Sequence, residues 1–144
     1  MLSQDGSLLA ALLNAATLAL IDAGIPMADY IAACTAGSTS THAAADEQAD
    51  PLLDLNAQEE TELPYCTVAT LGAGAEGGSD KVVAWVCESR VQVGRLEGML
   101  AVGVDGCKQV REVLDGVVRE MGAKMVRQGA VEGGVTMEDD LMEE

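Results

Sequence analysis

Residues 14–37 read NAATLALIDAGIPMADYIAACTAG, and the fold turns on this stretch: a helix that stops, then a strand. Going backwards from it, Leu9, Leu12, Leu13, Ala16, Leu20 and Ile21 recur at helical spacing. Asp5, followed by Gly6 and Ser7, can cap a helix that runs to about Ala23. Ala10, Ala11, Ala15 and Ala19 keep that helix slim, suited to lying close against a sheet. Gly24 ends it and Pro26 prevents its continuation. Going forwards, Met27–Gly37 is apolar and bounded by a turn, which predicts a strand.

The pattern beyond it is a series of short strands closed by a long helix. Residues 38–50 (STSTHAAADEQAD) are polar and of low complexity, a loop insertion. Pro51–Asn56 predicts a short strand, followed by an acidic turn, QEETEL, and then a strand over Tyr65–Leu71. After the glycine-rich run at 72–78, Lys81–Cys87 is continuously apolar, which predicts a strand buried on both faces. From Gly94 a helix places Leu96, Met99, Leu100, Gly103, Cys107, Val110, Leu114, Val117 and Met121 on one stripe. Gly103 and Gly106 inside it imply close backbone approach, since each costs about 1 kcal/mol relative to alanine. The opposite face, with Lys108, Arg111, Glu112, Asp115, Arg119 and Glu120, reads as solvated and internally paired. From Gln128 the chain is an acidic, disordered tail. The expectation is an α+β layer, a mostly antiparallel sheet with helices on one face.

Charge narrows the function. The net charge is −16, and all eight Lys and Arg lie at or after Lys81. Phosphate contacts dominate nucleic-acid affinity and need cations, so residues 1–80 cannot form an electrostatic RNA clamp. The glycine run 72–78 lies between two strands and lacks the Lys-Ser/Thr of a phosphate loop, so a hairpin connection is expected there. Cys34, Cys66, Cys87 and Cys107 show no CxxC spacing, which points to reduced core thiols rather than a disulfide framework or zinc site. His42, the only histidine, lies in the polar loop without a second ligand nearby. No apolar run approaches the ~20 residues of a membrane span. No cofactor and no metal is expected.

Several blocks in order carry a family resemblance: Gln4-Asp5-Gly6, Asn14 through Met27, Pro51-Leu52-Leu53-Asp54-Leu55-Asn56 with Glu59-Glu60, and Gly106-Cys107, Val110-Arg111 and Val113-Leu114-Asp115 in the long helix. Together they resemble the second half of RNase PH-like domains, most closely the ring subunits of the eukaryotic exosome. The likeness runs from about Leu2 to Arg127 and is interrupted at 38–50. It implies an RNase PH-type half-domain of the ribosomal protein S5 domain 2-like class over residues 1–127, with the tail at 128–144. Such domains have a first half of comparable size. The chain begins immediately before the helix cap, so the expectation is a half that is truncated, or that another chain completes.

The resemblance also makes lost chemistry readable. Phosphorolytic members begin this helix with a DGGTRT-like segment, in which a hydroxyl and an arginine hold the attacking phosphate. Here the segment is Asp5-Gly6-Ser7-Leu8-Leu9-Ala10, with Leu8 at the hydroxyl position and Leu9 at the arginine position. Two leucines cannot balance a phosphate dianion. Asp54 and Glu60 match the two acidic positions of active members and remain acidic. The resemblance therefore implies a non-catalytic exosome subunit with no catalytic residue. Its implied partners are other RNase PH-like ring subunits, RNA-binding cap subunits and an associated hydrolytic nuclease, with RNA passing through the assembled channel and no membrane. The implied locations are nucleus, nucleolus and cytoplasm. The alternative is an active phosphorolytic 3′-to-5′ exoribonuclease with Asp54 and Glu60 as metal ligands. A third reading is a small acidic interaction module unrelated to RNA.

Overall fold

The computed structural model describes residues 4–39, 50–72 and 81–132. The chain order is α1 (Leu8–Asp22), β1 (Ile31–Ser38), β2 (Pro51–Leu53), α2 (Ala57–Glu62), β3 (Tyr65–Leu71), β4 (Lys81–Cys87) and α3 (Val93–Glu132). The four strands form one antiparallel sheet in the order β2-β1-β3-β4. The α+β class is as expected. Helix α1 ends as its sequence predicts: the Gly24 N–H donates to Ile21 O and the Ile25 N–H to Leu20 O, closing the last turn. The strand after it starts at Ile31, four residues later than expected, because 28–30 form a bend that aims Asp29 and Tyr30 at α3.

Alternation along β1 divides the core. Ala32, Cys34 and Ala36 join Cys66 and Val68 of β3 on one face and pack against Met99, Cys107 and Leu114 of α3. Ala33 of β1 and Ala69 of β3 point the other way and meet Ala10 and Leu13 of α1. The helices therefore cover opposite faces of the sheet, which corrects the expectation that both lie on one face. They approach one another only around the β1 side, where Leu18 reaches the α3 cluster. Gly103 and Gly106 explain how α3 sits so low. A Cβ on Gly103 would lie 2.8 Å from Val68 Cγ2, and one on Gly106 would lie 2.8 Å from both Cys34 Sγ and Leu53 Cδ2.

Four further expectations are corrected. The inward face of α1 is Ala10, Leu13, Asn14 and Thr17, whereas Leu9 (41% exposed), Leu12 (55%) and Leu20 (40%) face outward. Apolar residues lie on both stripes of this helix, and their spacing cannot say which one meets the sheet. β4 is bare rather than doubly buried: Val82, Val83, Trp85 and Val86 are each more than 40% exposed, because neither helix extends over this edge strand. The acidic segment after β2 is helical, since Asn56 and Glu59 form a reciprocal capping box at the start of α2. Arg111, assigned to the solvated face of α3, is buried. Its guanidinium ion-pairs with Asp29, donates to Tyr30 O (3.2 Å) and stacks 4.3 Å from the Tyr30 ring centroid.

Helix α3 continues to Glu132, past the expected start of the tail at Gln128. His42, most of the 38–50 insertion, most of the glycine run and residues 133–144 lie outside the described residues. Among the described residues no helix is long and apolar enough to cross a membrane.

Candidate functional site

The start of α1, the β1 edge, the end of β2 and the middle of α3 enclose a cleft of about 330 Å³. This is where the resemblance places phosphate chemistry. Ser7, Ala10 and Ala11 contribute one wall, Cys34 and Thr35 the floor, Leu53 and Asp54 one end, and Gly106, Gln109 and Val110 the far side. β2 stops at Leu53, and Asp54 takes a left-handed backbone (φ 55°) that turns the chain away. Its N–H still reaches β1, donating to Thr35 O at 2.8 Å.

Among the described residues the lining carries no Lys, Arg or His. Asn14, which looks available for binding, is committed to β1: its Nδ2 donates to Ala33 O (2.9 Å) and its Oδ1 accepts from Ala33 N–H (2.8 Å). The Cys34 thiol is pushed up to about 11 by burial, and the neighbouring Cys107 and Asp54 add to the rise. It is therefore protonated near neutral pH and is no nucleophile.

Glu60 resolves the anion question at the helix start. Its Oε1 accepts a 2.7 Å hydrogen bond from the Ser7 N–H, and Ser7 Oγ donates to Leu55 O at 3.2 Å. A carboxylate of the chain itself thus sits at the positive end of α1, where the sequence reading expected Asp5 to cap. Asp5 instead accepts from the Ala57 N–H (3.4 Å). The close seating needs Gly6: at φ 88°, a Cβ there would lie 2.2 Å from Leu55 O. Of the four residues singled out in the sequence, Asp54 lines the cleft, Glu60 closes the helix start beside it, Leu8 is half-buried, and Leu9 points outward. Asp54 and Glu60 are thus held by different parts of the backbone. Among the described residues no group of three or more His, Cys, Asp or Glu side chains is placed to hold a metal ion.

Sequence reasoning missed the Asp29–Arg111 latch, which joins residues 82 positions apart and leaves no local pattern. It also missed the role of Glu60, because the segment after Asn56 was expected to be an acidic turn and Glu60 meets Ser7 only through the helix that forms there.

Comparison with known proteins fits this geometry. No family model matches the chain. It is 38% identical over 125 residues to the exosome complex component SKI6 of Saccharomyces cerevisiae, covering 87% of this chain and 46% of the yeast protein. It is 36% identical over 119 residues to the ski6 protein of Schizosaccharomyces pombe (83% and 44%). It is 34% identical over 119 residues to the human exosome complex component RRP41 (83% and 44%). The chain spans a little under half the length of these relatives. Along most of its own length, then, the chain is similar to exosome complex components of the SKI6/RRP41 type.

Proposed function

We propose that the chain acts as a non-catalytic structural subunit of an exosome ring, or as half of one, supporting 3′-to-5′ RNA processing and degradation, including rRNA maturation. The observation that carries this reading is the cleft. Among the described residues it is lined by no cationic side chain, Leu8 and Leu9 replace the phosphate-binding pair, and the Glu60 carboxylate occupies the N-terminus of α1. A phosphate dianion entering beside Asp54 and Glu60 meets like charge and no guanidinium to offset it.

The exposed apolar surface supports assembly. Leu9, Leu12 and Leu20 on α1 and Val82, Val83, Trp85 and Val86 on β4 are each at least 40% exposed. We infer that these faces are covered by a partner that completes the domain. The proposed partners are other RNase PH-like ring subunits, cap subunits that bind RNA, and a separate hydrolytic nuclease. The proposed locations are nucleus, nucleolus and cytoplasm, and the RNase PH-type half-domain assignment belongs to the same reading. Affinity purification of the tagged chain from native extract, with mass spectrometry, tests it. Recovery of other exosome subunits is expected; their consistent absence, or phosphate-dependent release of nucleoside diphosphates from RNA by the purified chain, overturns it.

A further inference from the structure

Cys66 and Cys87 face one another across β3 and β4 as direct register partners. The hydrogen-bond pattern fixes the kind of pair they make. The backbone groups of Ile31, Ala33 and Thr35 turn away from β3, toward Thr17, Asn14 and Asp54. Their partners Leu71, Ala69 and Thr67 therefore direct their own groups toward β4. Cys66 alternates with these residues, so Cys66–Cys87 is a non-hydrogen-bonded pair. At such pairs the Cα atoms are about 4.5 Å apart and the side chains are closest. That separation lies inside the roughly 4.4–6.8 Å range that a disulfide spans. Both thiols are free and lie on the α3 side of the sheet, Cys66 fully buried and Cys87 partly exposed.

We propose that Cys66 and Cys87 are a redox-active dithiol, which a small-molecule disulfide converts into an intramolecular cross-strand disulfide that staples β4 to the sheet. The order of events follows from exposure. The Cys87 thiolate attacks one sulfur of the small disulfide, expelling one thiolate and forming a mixed disulfide at Cys87. The Cys66 sulfur, having lost its proton to solvent, then attacks Cys87 Sγ and expels the second thiolate. The protein loses two electrons and two protons, and the small disulfide is reduced to two thiols. Burial pushes the Cys66 thiol up, so the second step is the slower one and quickens with pH. The staple acts where the fold has least else to offer, since β4 is covered by neither helix and is held through β3. This inference is independent of the exosome reading.

The test incubates the full chain with glutathione disulfide, then counts thiols in denaturant and maps peptides without reduction. The expected result is a fall from four free thiols to two, with residues 66 and 87 in one cross-linked peptide. The only tryptophan, Trp85, precedes Cys87 by two positions on the same face, so its emission should drop on oxidation and recover with dithiothreitol. Cys34→Ser and Cys87→Ser should respectively retain and abolish the cross-link, and Cys66→Ser should stop at the mixed disulfide. If Cys66→Ser does not fold, the wild-type map and Cys87→Ser decide. A persistent glutathione adduct on Cys87 in the wild type, a cross-link between Cys34 and Cys107, a Cys87-linked dimer or an unchanged thiol count each overturns the proposal.

Discussion

Removing Asp29 should cost this protein more than removing the arginine it holds. Arg111 is 8% exposed, and three contacts compensate its charge: the Asp29 carboxylate, the Tyr30 carbonyl and the Tyr30 ring. In Asp29→Ala the guanidinium stays buried with only the carbonyl and the ring. Breaking a buried pair this way costs about 3–5 kcal/mol, and the surviving carbonyl bond places the loss near the lower end, about 3 kcal/mol. In Arg111→Met the buried charge is gone and an apolar chain of similar length fills its place. The Asp29 side chain, 25% exposed, turns toward water. What is then lost is mainly the cation–π contact, about 1 kcal/mol. The double variant should resemble Arg111→Met, not the sum of the two single changes. Urea unfolding followed by far-ultraviolet circular dichroism reads this directly. With a slope of about 1.5 kcal/mol per molar urea, the two single variants should differ in midpoint by more than about 1 M. An Arg111→Met midpoint equal to or below that of Asp29→Ala would show that the pair contributes through packing and that the charge argument is wrong.

Leu12→Ala should cost less than about 1 kcal/mol because Leu12 is 55% exposed, whereas Met99→Ala, at 1% exposure, should cost about 2–5 kcal/mol, with thermal unfolding as the comparison. Glu60→Gln should lower stability by about 0.5–1 kcal/mol by removing the negative charge at the start of α1, an effect that added salt should shrink. Because the folded-state Cys34 thiol lies at about 11 against 9.0 unfolded, its contribution to stability is complete below pH 9 and is lost as pH rises toward 11. Cys34→Ala should flatten that alkaline decline, measured as urea midpoint against pH. Single-stranded RNA should bind the isolated chain weakly at physiological salt, given its charge of −16; submicromolar affinity in a filter-binding assay would refute this.

Periodicity and punctuation made the order of the elements legible. Gly24 and Pro26 mark the end of α1, and Gly103 and Gly106 announce a helix lying on a sheet, because each signal is local and has a single steric cause. Layering was not legible. Which stripe of α1 faces inward depends on where Asn14 and Thr17 find backbone partners on β1, and an apolar count ignores both. The same limit applies to β4: a continuous apolar run signals two covered faces only when something lies over them, and α3 stops short of that strand. At the candidate site, Leu8 and Leu9 could be read from the chain, but the docking of Glu60 on Ser7 joins residues 53 positions apart. That contact depends on α2, a short helix set by a capping box in a segment whose acidic composition suggests only a turn.

The amide of Asn14 has a consequence for how this sheet can grow. Along the outer side of β1, Thr17, Asn14 and Asp54 occupy the positions that another strand would need, and β2 occupies the rest. A side chain here stands in for a missing neighbour and seals that border, leaving only the three residues of β2 beyond it. Extension is thus directed to the β4 border. A sheet with two long open borders can add copies without end, as fibres do, and shortening one of them to three residues weakens that route. Among the described residues, Asn14 with Thr17 and Asp54 thereby closes most of the β1 border and leaves β4 as the longer open edge.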